Sequence, residues 1–168
     1  MIKKPLVPNH FKVPVIVETS VFRLRMLSVN DLVKDYDAVM SSVERLTKVF
    51  GDNSGWPRHL TLEQDLIDLG WHQKEFQSRT SFAYTVMSLD EKICLGCVYI
   101  LPPHRGDFDP SEFDAAVFMW VRDSAYNAGL DEVLYSFVQD WLDQKWPFKR
   151  VAYPGREIAW DTWRMPKD

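Results

Sequence analysis

Val21-Phe-Arg-Leu-Arg-Met-Leu27 alternates apolar and basic side chains, the two-residue period of a strand with one buried face. Ser28-x-x-Asp31 then reads as a helix start. Behind it Leu32, Tyr36, Val39, Val43 and Leu46 recur at helical spacing and predict one amphipathic helix. Residues 51–57 are turn-rich, with two glycines and a proline. Thr61-x-x-Gln64 has the form of a capping box, and Leu62, Leu66, Leu69 and Phe76 predict the buried stripe of a second helix. Residues 81–88 and 92–100 read as two strands joined by a connection short enough for a hairpin. Residues 102–110 are a polar, proline-bounded loop. Residues 112–121 form an apolar strand expected to be covered on both faces. Leu130, Leu134, Phe137 and Trp141 mark a further helix that Pro147 ends, and residues 149–153 form a short strand.

The two ends differ from this pattern. Residues 1–20 are punctuated by Pro5, Pro8 and Pro14, so they predict an extended arm with at most an edge strand around Val13, Val15 and Val17. Residues 154–168 hold Trp160 and Trp163 and predict a docking segment or short helix. The order strand, helix, helix, hairpin, strand, helix, strand predicts an α+β fold in three layers. Its sheet is mixed, mostly antiparallel and flanked by helices, and residues 21–168 form a single domain behind the arm.

With 168 residues, 46% of them hydrophobic and 26% charged, the chain can bury one ordinary core and disorder is excluded. Seven tryptophans ask for a large core, a cleft or a partner surface. A net charge of -4, with no cluster of Lys or Arg, argues against nucleic acid as a partner. No apolar run follows the two N-terminal lysines, so neither a signal peptide, a membrane span nor a membrane partner is expected, and a cytoplasmic location follows. Cys94 and Cys97 lie in a strand-like run, where residues three apart point to opposite faces. They are therefore expected to be buried, reduced and apart. His10, His59, His72 and His104 are scattered, so no metal site is expected.

The stretch with the most chemistry is residues 119–134, an apolar strand, a short polar turn with Gly129, and an amphipathic helix. That order places backbone N–H groups at a helix N-terminus, where an anion is favoured. With Phe22-Arg-Leu-Arg-Met-Leu27 before a helix start, Leu95-Gly-Cys-Val-Tyr-Ile100 in a strand, and Val121-Arg122 leading to Gly129-Leu130, the chain resembles the GNAT acetyltransferases over roughly residues 20–153. The resemblance implies acetyl-CoA as co-substrate, with no metal. Its pyrophosphate would lie on the turn, with Trp120, Val121, Arg122, Tyr126, Asn127, Ala128, Gly129 and Leu130 forming the coenzyme site. The family's turn is Gln/Arg-x-x-Gly-x-Gly/Ala. The aligned hexad here is Tyr126-Asn-Ala-Gly-Leu-Asp131, followed by Glu132. Two carboxylates aimed at a pyrophosphate would cost about 1 to 4 kcal/mol for each contact at ~4 Å. The family's fold also continues after its fifth strand with a helix and two strands, whereas residues 154–168 are all that follow here.

Amine acetylation needs a proton acceptor, a polarised thioester carbonyl and a proton donor for the thiolate. Glu112, with Asp114 beside it, and His104 are the candidate bases; Tyr153, with Tyr99 and Glu157 as further choices, is the candidate acid. The N–H of Val121 is the candidate oxyanion donor. The acceptor, a small-molecule or peptide amine, would enter over the first two helices and the loop holding Trp56. The negative net charge favours a cationic acceptor. Exposed tail tryptophans would suit a homodimer. The alternative is a non-catalytic protein on the same scaffold that binds an acyl-CoA or a protein partner.

Overall fold

The computed structural model describes residues 3–51, 54–103 and 112–163. Six strands form one sheet in chain order: β1 (Ile16–Glu18), β2 (Arg23–Met26), β3 (Phe82–Met87), β4 (Cys94–Leu101), β5 (Ala115–Val121) and β6 (Val151–Ala152). Every neighbouring pair is antiparallel except β5 and β6, which run parallel. Helices α1 (Leu32–Met40), α2 (Val43–Leu46) and α3 (Leu62–Gln77) cover one face. A one-turn helix α4 (Asp123–Asn127) leads into α5 (Leu130–Lys145), which covers the other. A short α6 (Trp160–Trp163) lies near the C-terminus. The three-layer α+β architecture expected from the pattern is the one observed.

β5 shows why its sequence is apolar throughout. Val117, Met119 and Val121 pack under α5, while Trp120 packs under α1 and α3, so both faces are buried. On α5 the stripe Leu130, Leu134, Val138, Trp141 and Leu142 is buried. Gly96 in β4 lies opposite Val121. A Cβ there would run into the Trp120 carbonyl oxygen and stand 2.9 Å from the Val121 Cα, so only glycine lets the two strands come this close.

Four expectations are corrected. The first helix is broken: Ser41 and Ser42 separate α1 from α2. The Ser41 hydroxyl donates to the Ala38 carbonyl (2.9 Å) and Ser42 Oγ accepts from Asp123 N–H (2.8 Å), side-chain bonds that compete with the helix ladder.

Helix α3 is rotated from the predicted stripe. Leu62 and Leu66 are 47% and 42% exposed, and the buried line is Asp65, Leu69 and Phe76, with His72 between them. The Thr61 hydroxyl caps Gln64 N–H (3.1 Å). Gln73 accepts from Val29 N–H (3.0 Å), and the Val29 side chain sits over Gly70, so the turn Val29–Asp31 pins the helix's rotation.

Cys94 and Cys97 are buried and free, but they share one face. An irregularity in the β3–β4 register between Val86 and Met87 inserts an extra residue into β4 and resets the alternation.

Trp163 is buried and Trp160 stacks on Phe118 with ring centroids 6.0 Å apart. The tail tryptophans therefore pack inward, which removes the ground for a homodimer. The arm runs over the α5 face, where Val7 is buried and Phe11 meets the Trp146 ring at 5.2 Å. Among the described residues no helix is long and apolar enough to cross a membrane.

Candidate active site

β5 and β6 pair only at Ala115·Val151 and Ala116·Ala152. Beyond that point the strands part. Phe118, Met119 and Trp120 line one side of the opening and Pro154, Gly155 and Arg156 the other, around a cleft of about 250 Å³. The register fixes which peptide groups of β5 face it. Arg122 N–H donates to the Leu95 carbonyl (2.8 Å), so Val121·Gly96 is a non-hydrogen-bonded pair. By alternation, Met119 and Val121 turn their N–H and C=O groups away from β4, toward the open edge. The guanidinium of Arg45, from α2, reaches that edge and donates to the Val121 carbonyl.

Among the described residues, three cationic side chains line the cleft: Arg45, Lys48 and Arg156. Arg45 also donates to Asp123 (2.7 Å) and lies over the Tyr126 ring, 4.3 Å from its centroid. Asp131 lines the cleft too, but both its oxygens accept from Arg156 at 2.9 Å, and Glu132 points to solvent. The bidentate pair neutralises the carboxylate that the sequence sets against an anion. Gly129 adopts φ +85° with nothing within 4 Å of where a Cβ would stand. Its conformation requires glycine, and the face beside it is open.

The predicted coenzyme residues divide accordingly. Trp120 and Tyr126 line the cleft. Val121 offers its backbone edge, while Asn127, Ala128 and Gly129 form the exposed turn. The Arg122 side chain turns away, donating to Asp37 (3.2 Å) and to the Cys94 carbonyl (3.3 Å), and Leu130 is a core residue.

A second cavity, about 350 Å³, lies between α1, α3 and the sheet. Asp35, Asp65 and Asp68 line it together with Phe50, Trp56, Trp71, His72 and Tyr99. The carboxyls of Asp35 and Asp65 act on each other. Burial, then the nearby Cys94 and Asp65, push the Asp35 carboxyl well above its ordinary range. Burial likewise raises Asp65, to about 6. Cys97 donates its thiol to Asp35 (3.4 Å) and the Trp120 indole N–H donates to Tyr99 Oη (3.0 Å). Burial lowers the His72 imidazole below its ordinary value, so it is neutral at pH 7. The ring pairs Phe50–Phe118 (5.9 Å) and Trp56–Trp120 (6.0 Å) connect the walls of the two cavities.

The proton-handling candidates are not brought together. Glu112 is half-buried, at the opposite end of β5 from Val121. Asp114 accepts from Lys149 N–H (2.7 Å) and Arg150 N–H (3.0 Å), tying β6 to β5. Tyr153 is buried against the Tyr135 ring at 5.4 Å, next to Pro154 of the cleft, and burial raises its phenol. His104 lies outside the described residues. The sequence reading missed Arg45, Arg156, Asp35, Asp65 and His72. For the carboxylates a signal existed: Asp65 falls in phase with Leu69 and Phe76, and a charged residue on a buried helical line is a sign of function.

No protein-family model matches the sequence, and no curated protein matches it by sequence. Solved structures do match. A GNAT-family acetyltransferase from Bordetella pertussis aligns with a TM-score of 0.60 and 17% identity over 82% of this chain and 77% of its own. The microcin C7 self-immunity acetyltransferase MccE, solved with acetyl-CoA and AMP, aligns with a TM-score of 0.57 and 11% identity over 78% of this chain and 68% of its own. An acetyltransferase from Salmonella typhimurium that modifies the N-terminal serine of the ribosomal protein L7/L12 aligns with a TM-score of 0.53 and 11% identity over 79% and 68%. The chain has the GNAT fold.

Proposed function

We propose that the protein is an acetyl-CoA-dependent N-acetyltransferase acting on an amine. The observation that carries this reading is the parting of β5 and β6 after Ala116·Ala152, which leaves a β-strand edge exposed inside a cleft lined by cations. The residues present suit the coenzyme. Lys48 offers a charge to a pyrophosphate, while Arg45 and Arg156 line the cleft as ion pairs with Asp123 and Asp131, so those two carboxylates are neutralised. The open face at Gly129 leaves room beside the turn. Bound there, acetyl-CoA would supply an activated acyl thioester. The Val121 carbonyl is already taken by Arg45, while the N–H groups of Met119 and Val121 stand along the edge, and an N–H there would polarise a carbonyl. Glu112, Tyr153 and His104 stay outside this proposal.

The fold supports the reading through its solved neighbours, which are acetyltransferases. Calorimetric titration of acetyl-CoA tests it. Saturable binding is expected, lost in Gly129→Trp and weakened in Lys48→Glu. The second variant changes an exposed side chain, so its fold is preserved and circular dichroism checks both. No binding at millimolar ligand overturns the reading. Binding without transfer to any amine would favour a non-catalytic acyl-CoA binder instead.

A further inference from the structure

The outward face of α3 carries a pattern that the fold of one chain does not use. Leu66, Ile67 and Trp71 stand on it at 42%, 47% and 55% exposure, and Val29 lies beside it over Gly70. In helical projection Glu63, Ile67, Gly70 and Lys74 form one line, with Leu66 and Trp71 on its two flanks. That line is opposite the buried one, Asp65, Leu69 and Phe76, so it points away from the sheet. Apolar side chains gathered on one surface and bounded by charge mark an interaction site.

Gly70 is a second and independent observation. It sits in the middle of a 16-residue helix, where glycine is less favourable than alanine. Its φ is not positive, and among the described residues a Cβ there would meet Val29 Cγ1 alone, at 3.8 Å, an ordinary van der Waals contact. Neither the backbone conformation nor the packing inside the chain calls for glycine. What the missing side chain still allows is the close approach of a group from outside.

The order of residues says what that group is. Reverse the helix about an axis midway between Asp68 and Leu69. Glu63 then falls opposite Lys74, Leu66 opposite Trp71, and Ile67 opposite Gly70. The three pairs are an acid with a base, two large apolar side chains, and a branched side chain over bare backbone. Lys74 already lies over the Trp71 ring, its Nζ 4.6 Å from the centroid, so its charge is held at the edge of the apolar patch. A surface that complements its own reversed copy is what a two-fold interface requires.

We propose that α3 packs antiparallel against α3 of a second copy of this chain, with Ile67 of each over Gly70 of the other and Glu63 of each paired with Lys74 of the other. The ground for this dimer is separate from the tail tryptophans, which pack inward, and the inference does not depend on the acetyltransferase reading. One helix face from each copy is a small interface, so a Kd of roughly 10 to 100 µM is expected and dilute solutions hold the monomer.

Sedimentation equilibrium of the intact protein from about 1 µM to about 1 mM tests it. A monomer–dimer equilibrium is expected. Ile67→Glu is expected to weaken the dimer at least about 10-fold, since it sets a carboxylate against the partner's backbone. Glu63→Lys alone and Lys74→Glu alone are each expected to weaken it about 3-fold to 10-fold, and the double reversal to restore it. Within one helix the two positions are roughly 16 Å apart, so such a rescue comes from the second copy. Gly70→Ala is expected to act with opposite signs, raising the melting temperature of the dilute monomer while weakening the dimer. Circular dichroism checks that each variant is folded. A protein that stays monomeric to about 1 mM, a dimer that survives Ile67→Glu, a double reversal without rescue, or a Gly70→Ala variant that dimerises as well as the parent would each overturn the proposal.

Discussion

The cleft beside β5 and the cavity under α1 and α3 sit on one sheet and share a wall of rings, yet they carry opposite charge. The cleft takes its cations from α2, from the residue two after it, and from the segment after β6: Arg45, Lys48 and Arg156. The cavity takes its carboxylates from the inward lines of α1 and α3: Asp35, Asp65 and Asp68. A net charge of -4 hides both, since the sum over the chain says nothing of how elements sort the signs. The contrast fits the proposed function, in which the cleft receives an anionic donor. It also separates two ways of tolerating charge. In the cleft, ion pairs are half exposed; in the cavity, carboxyls are desolvated and hold protons longer than usual.

The change expected to do most damage strikes both regions at once. Trp120 lines the cleft with its side of β5 and donates its indole N–H to Tyr99 of the cavity. Gly96 lies under its carbonyl. Gly96→Val forces backbone against backbone, where no side chain can yield, and is expected to cost on the order of 4 kcal/mol. Urea melts would show it. A loss under about 1 kcal/mol would mean the two strands are not so close.

Next in size is a pH effect confined to the cavity. Asp65 has a carboxyl raised from 3.8 to about 6 by burial, with Asp68 adding to the rise and its hydrogen bond to Asp35 opposing it. A raised value means the folded state holds the proton longer than the unfolded chain does. The stability this gives is complete below pH 3.8 and is lost as pH rises through about 6. Asp35, Asp68, His72, Cys97 and Tyr99 surround the group, so the observed midpoint belongs to the set. Asp65→Asn removes the ionisation and keeps an acceptor for Asp35. Relative to the parent, the variant is expected to gain up to about 3 kcal/mol between pH 4 and pH 7.5. Parallel stability curves for the two proteins would show that Asp65 does not titrate this way.

These two regions were not equally legible in the sequence. Strands and the α5 stripe follow from periodicity, because β2 alternates and Leu130, Leu134 and Trp141 recur in phase. The strand, turn and glycine that build the cleft could also be read, since Gly129 sits between two apolar runs. The cations could not. Arg45 and Arg156 are 111 positions apart in numbering and meet only because α2 and the segment after β6 flank the same edge. The cavity was hidden by a wrong helical phase. Four apolar residues suggested a stripe through Leu62 and Leu66, while the contact of Val29 with Gly70 turned the helix so that Asp65 faces in. Likewise the two cysteines ended on one face because a register shift, invisible to a period-two count, lies between them and β3.

A smaller effect distinguishes the cleft from the cavity by affinity. Arg45→Ala leaves the cavity's carboxylates untouched and removes one of the three cations lining the cleft. Acetyl-CoA affinity is expected to fall by about 10-fold, near 1.4 kcal/mol. Calorimetry reads the change, and circular dichroism checks that the fold is kept. Unchanged acetyl-CoA affinity would show that this guanidinium does not meet the coenzyme.

The smallest effect tests the helix phase on which the cavity depends. If α3 presents Asp65, Leu69, His72 and Phe76 inward, then Leu62 and Leu66 do little for the fold despite being leucines, because each already keeps nearly half its surface in water. Replacing both by Gln is expected to change stability by no more than about 0.5 kcal/mol. Leu69→Ala, seven residues on from Leu62 and buried, is expected to cost about 2 to 5 kcal/mol. Thermal melts of the two variants against the parent decide it. If the double Gln variant is the less stable one, the stripe first suggested by the leucines is the buried face. Asp65 would then look outward, and its raised pKa and the acidic cavity would lose their common cause.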